Sequence, residues 1–158
     1  MTALFLPRGI RNNNPGNIRL SPTKWQGQKP QQEDASFVEF SDPLFGLRAL
    51  MKLFATYAAK YGLDTVASLI NRFAPPHENA TDSYIRHVAR ALGVRREDEI
   101  NVSDPAVLIR LARAIVLHEN GAAPNGMPAG WYDDVLYQRA AALALSSQTF
   151  PVTKGNYA

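Results

Sequence analysis

Residues 103–121 read SDPAVLIRLARAIVLHENG, and this stretch decides the fold class. Ser103 or Asp104 can cap a helix whose first position is Pro105, where a missing N–H costs nothing. Apolar side chains then occupy most sides rather than one stripe, which predicts a central, buried helix. Gly121 closes it.

Helical periodicity recurs on both sides of that segment. Upstream, Ser41 or Asp42 caps a long helix beginning at Pro43, with Leu47, Leu50, Met51, Phe54, Tyr57, Ala58 and Tyr61 on one apolar face and Gly62 as its stop. Asp64 caps a second helix through about Phe73, which turns Val66, Leu69 and Ile70 inward and ends before Pro75-Pro76. Thr81 or Asp82 caps a third, with Tyr84, Ile85, Val88 and Leu92 inward and Gly93 as its stop. Downstream, Asp133 or Asp134 opens a last helix to about Ser146, and the tail from about 147 to 158 reads as irregular. Residues 7–36 are the least periodic third, rich in Asn, Gln, Pro and Gly, and SFVEF at 36–40 alternates like a half-buried strand. The reading is a mainly α (α+β) single domain over 1–158, with about five helices and a small strand-and-loop N-terminal lobe.

Composition narrows the function. A chain of 158 residues with 46% apolar and 20% charged residues has the length and make-up of one globular domain. It contains no cysteine, which excludes disulfides, thiolate metal sites and cysteine nucleophiles. Three scattered histidines (77, 87 and 118) argue against a dedicated metal site. The longest apolar stretches, such as Ala140–Leu145, fall far short of the ~20 residues of a membrane span. Met1–Leu6 is too short for a signal sequence, so action outside the cytoplasm requires another delivery route. Residues 1–32 carry five bases and no acid, a bias that suits either an anionic partner or a solvated basic loop.

Glu119 has the strongest claim to chemistry. It stands in the last turn of the most apolar helix, where the helix C-terminus and apolar surroundings both disfavour the ionised carboxylate. A carboxyl held protonated near neutral pH is what a general acid for glycosidic cleavage needs. The competing reading is an acid pointing into solvent from a frayed helix end. Glu78, in the loop before the third helix, is the next candidate for a second carboxylate, and Glu39 is expected to face outward from its strand. RNNNPGNIR at 11–19 offers Asn14-Pro15-Gly16-Asn17, good turn chemistry with Gly16 supplying positive φ. Its amides suit either sugar hydroxyl and N-acetyl groups or the loop's own backbone. Trp25 and Gln28 in WQGQ could face a sugar, although a lone Trp equally suits a core. With Asn79 and Tyr84 they complete the expected binding set around Glu119.

Together, GIRNNNPGNIR (9–19), WQGQ (25–28), FVEFSDPLFGLRAL (37–50), FAPPHENATDSYIRHVARALGV (73–94) and IVLHENG (115–121) resemble a family of small phage and prophage virion-associated, murein-lytic proteins. The resemblance covers about residues 8–121. It implies a lysozyme-like fold, peptidoglycan and other virion proteins as partners, and a monomer. LARAIVLHENG (111–121) is also similar to the catalytic-Glu helix of lytic transglycosylases and bacterial glucosaminidases. The Asn-rich turn and Trp-x-Gly follow that helix in glucosaminidases but precede it here, the order of a circular permutation. These likenesses imply a muramidase or lytic transglycosylase with Glu119 as acid and then base, and no metal or organic cofactor. Two other classes stay open: a non-catalytic virion or wall-binding domain, and a helix-turn-helix DNA-binding module around SYIRHVARALGV (83–94), whose eight-residue APPHENAT insert exceeds the usual 3–4-residue turn.

Overall fold

A computed structural model of the chain describes residues 5–77 and 80–146. Six helices follow one another: α1 (Arg8–Arg11), α2 (Pro43–Tyr61), α3 (Val66–Phe73), α4 (Thr81–Leu92), α5 (Pro105–Asn120) and α6 (Asp134–Ala144). The fold is mainly helical, with one continuous core. The central role expected of α5 holds: it packs on α1, α2, α4 and α6, and Leu108, Leu111 and Ile115 are fully buried. α2 lies against α6, where Ala140, Ala141 and Ala144 let the two backbones approach closely. Tyr137, also on α6, is fully buried, and its hydroxyl donates to the Gly130 carbonyl at 2.7 Å.

Caps set most boundaries. Asp42 accepts from the Leu44 N–H, Asp104 from Ala106 and Asp133 from Leu136, each satisfying an otherwise orphaned helix donor. Gly62 and Gly93 end α2 and α4 in the left-handed conformation. Two caps differ from expectation. Thr65, not Asp64, caps α3, because Thr65 and Ser68 form a reciprocal capping box. α4 has Ala80 at its cap position and no side-chain cap. The Thr81 hydroxyl instead donates to the Ala74 carbonyl at 2.6 Å, stitching α4 to the end of α3, while Asp82 pairs with Arg86 and Arg96. Tyr61, expected on the buried face of α2, is 40% exposed, with Arg72 stacked on its ring at 3.7 Å.

The N-terminal lobe contains almost no regular structure. The strand expected at 36–40 is reduced to isolated antiparallel bridges, Arg19 opposite Phe37 and Gln28 opposite Phe40. Its alternation is real, since Val38 and Phe40 are buried, but the partner segment turns away too soon to build a ladder. α1, within the segment read as loop, is the other departure. Side chains do what a sheet would otherwise do. Fully buried Asn14 donates to the carbonyls of Ile18 and Val38, both at 2.9 Å, and accepts from the Ile18 N–H at 3.0 Å. Glu39 accepts from the N–H groups of Glu33 and Asp34. Asp34 takes both ends of the Arg8 guanidinium at 2.6 Å and the Asn12 amide at 3.0 Å.

The lobe meets the helices at two glycines. A Cβ on Gly46, in the first turns of α2, would lie 1.8 Å from the Asn13 carbonyl oxygen. Gly16 serves a different purpose from the one expected. The left-handed residues of this turn are Asn13 (φ 53°) and Asn17 (φ 50°), as short amide side chains permit. Gly16 is needed because a Cβ there would stand 2.7 Å from Leu50. No described helix is long and apolar enough to cross a membrane.

Candidate active site

The last turn of α5 and the loop 16–25 face each other across an open groove of about 330 Å³. The loop contributes Asn17, Arg19, Ser21 and Trp25. Phe37, Leu53 and Tyr57, Phe73 and Glu119 complete the walls. Glu119 is half-buried and is the only carboxylate among the described residues that line it. Its Oε1 accepts from Asn17 Nδ2 at 2.9 Å, a bond across 102 residues that joins the loop lobe to the central helix.

Asn17 and its neighbours are fixed from behind. Asn120 Nδ2 donates to the Pro15 carbonyl at 2.7 Å and to the Val116 carbonyl at 2.9 Å, so α5 holds the Asn-rich turn by two consecutive residues. Gly9 of α1 passes directly beneath. A Cβ on it would sit 2.6 Å from Asn120 Oδ1 and 2.8 Å from Asn17 Oδ1. Both amide oxygens are buried without a hydrogen-bond partner, and this tight passage is where they point.

A run of rings backs the carboxylate. Phe54, Phe73, Tyr84, His118 and His87 follow one another with centroids 5.1, 6.4, 3.7 and 5.1 Å apart, linking α2, α3, α4 and α5. Tyr84 is 2% exposed and stacks flat on His118. Burial, and then the neighbouring Glu119 charge, hold its phenol far above the ordinary range, so it stays neutral. His118 is pushed below the ordinary imidazole value by burial and by His87, with Glu119 opposing. Its Nδ1 lies 3.1 Å from that of His87. No set of three or more His, Asp or Glu side chains converges to hold a metal among the described residues.

No family model matches the chain. Over 121 residues it is 40% identical to protein P5 of Pseudoalteromonas phage PM2, covering 74% of this chain and 73% of that protein. The chain belongs to the family of that phage protein.

The expected site residues divide in this geometry. Glu119, Asn17 and Trp25 come together on the groove. Asn14 does not: every polar atom of its side chain is committed to the backbone, so its role is to close the loop. Gln28 is not among the residues that line the groove; its Oε1 accepts from the Trp25 N–H at 3.2 Å and its backbone pairs with Phe40. Tyr84 is placed behind Glu119 instead of on the groove wall. Glu39 is a loop-organising acid rather than an outward-facing one. Glu78 and Asn79 lie outside the described residues. Arg19, Phe37, Tyr57 and Phe73 are groove residues that motif reasoning passed over. The apolar stripe of α2 contained the signal for Tyr57, but stripes do not reveal which end of a buried face opens on a cavity.

Proposed function

We propose that the chain is a murein glycosidase with a lysozyme-like fold, cleaving the glycan strand with Glu119 as general acid and then base. One observation carries the reading: a half-buried carboxylate, held by Asn17 and the only one among the described lining residues, stands in an open groove walled by aromatic rings and polar side chains. Phe37, Tyr57 and Phe73 give the groove apolar walls, while Arg19 and Ser21 supply donors. Glu119 donates its proton to the glycosidic oxygen as the bond to the anomeric carbon breaks, then takes a proton back from the incoming hydroxyl. The second step falls to water or to the sugar's own hydroxyl; in the second route the N-acetyl group assists, and no second carboxylate is needed. The Asn17 amide keeps the carboxyl group in place across both steps.

Kinship with a phage protein favours a virion setting, in which the groove works on the host wall alongside other virion proteins. Purified murein incubated with the protein tests the reading. Soluble muropeptides with new 1,6-anhydro ends identify intramolecular transfer, and new reducing ends identify hydrolysis. Liberated peptides without glycan cleavage, or no release at all, overturn it. The second of those outcomes leaves a non-catalytic wall-binding or virion structural domain.

A further inference from the structure

Arg19 is the one groove cation with no acidic partner among the described residues. Its neighbour Arg8 is neutralised by Asp34 at 2.6 Å. Both guanidinium groups lie over the ring of Phe37, at 4.7 Å for Arg8 and 5.2 Å for Arg19, and Arg19 is paired by its backbone to Phe37. The ring therefore orients an exposed guanidinium along the groove rim, where a cation–π contact restrains it without consuming its donors. Trp25, only 5% exposed, lines the same groove.

We propose that Arg19, oriented by Phe37, is a specificity-determining residue that recognises a carboxylate carried on the glycan strand. This rests on the glycosidase reading and names its substrate class: anionic, carboxylate-substituted glycans in preference to neutral ones. A planar guanidinium fork matches carboxylate geometry, and it stands at the groove whose only carboxylate among the described lining residues is Glu119.

Binding by the Glu119→Gln protein, which leaves the strands uncut, separates the possibilities, with the Trp25 indole N–H resonance as the groove reporter. Three ligands of equal length are compared: peptide-bearing murein strands, strands stripped to the lactyl carboxylate, and stripped strands with that carboxylate methyl-esterified. At least one carboxylate-bearing strand should bind about tenfold tighter than the ester, a difference near 1.4 kcal/mol, and the tighter of the two identifies the source of the charge. The gap should close in Glu119→Gln/Arg19→Ala, partly return with Lys at position 19, and shrink as salt rises. Equal binding of all three strands, or a gap that survives loss of Arg19, overturns the proposal. If no strand moves the Trp25 resonance, the glycan reading itself falls and takes this inference with it.

Discussion

The helical body from Pro43 to Ala144 and the loop lobe before it are held together by different physics. In the body, apolar faces recur at helical spacing and meet in one core, and polar side chains act mainly at the ends as caps. The lobe has hardly any ladder, and its backbone is satisfied by amides and carboxylates: Asn14 and Gln32 on carbonyls and N–H groups, Asp34 and Glu39 on clusters of N–H donors. Burial is diffuse and tolerant of similar shapes. A side-chain hub is specific, and losing one member orphans several buried groups together. The groove lies on the seam between the two, so its carboxylate comes from the rigid body and its amide partner from the hub-built lobe.

The largest effect is expected at the seam. Gly46→Ala drives a methyl group into the Asn13 carbonyl, a backbone atom that cannot swing aside, and should cost at least about 3 kcal/mol, the upper end of overpacking. Chemical denaturation checks it. A loss below about 1 kcal/mol would mean that lobe and body slide past one another easily.

One pair of variants then sharpens the contrast. Ile115→Ala should cost about 2–5 kcal/mol through the cavity left in the core, lowering hydrogen-exchange protection everywhere. Asn14→Ala should cost about 2–3 kcal/mol, since it orphans the Val38 carbonyl and the Ile18 N–H, each worth about 1–3 kcal/mol less its access to water, while the Ile18 carbonyl keeps the Val38 N–H. Its loss of protection should concentrate in residues 8–40 and spare α6. Uniform loss in both variants would show a single cooperative unit instead of two differently held regions.

Acid should discriminate more gently. The Arg8 guanidinium, followed by the N–H of Ser36 and the amide of Asn12, holds the Asp34 carboxyl well below the usual carboxylate range. Because the folded value is depressed, its stabilising contribution is complete above the unfolded value of about 3.9. It is lost only as pH falls from there through the folded value. Amide exchange or NMR shifts in the lobe should change in that acid window while α5 and α6 remain protected. Asp34→Asn should abolish the difference. Lobe and body loosening together near pH 4–5 would contradict it.

The two regions also differ in how far they can be read from the chain. α2 to α6 announce themselves through Asp42-Pro43, Asp104-Pro105, Gly62 and Gly93, because caps and periodicity are local. Glu119 stood out for the same reason, as an acid ending an apolar helix. Asn14 and Asn17 are equivalent in sequence, yet one is sealed into the loop and the other reaches Glu119. That choice is made by contacts 24 and 102 residues away, for which no spacing rule exists. The ring run from Phe54 to His87 and the sharing of Phe37 by Arg8 and Arg19 were equally hidden, since each side chain comes from a different segment.

The rate at which Glu119→Gln protein solubilises purified murein, measured beside the unaltered chain, tests most directly whether the seam is a glycosidase site. Gln keeps the size of the side chain and can still meet Asn17, but it cannot give up and recover a proton. Release of soluble glycan should fall by at least about 10²-fold, the usual scale of general acid–base contributions, with melting temperature and helical signal preserved. Near-full release by the folded variant would contradict the assignment of Glu119 and leave the groove a binding site alone.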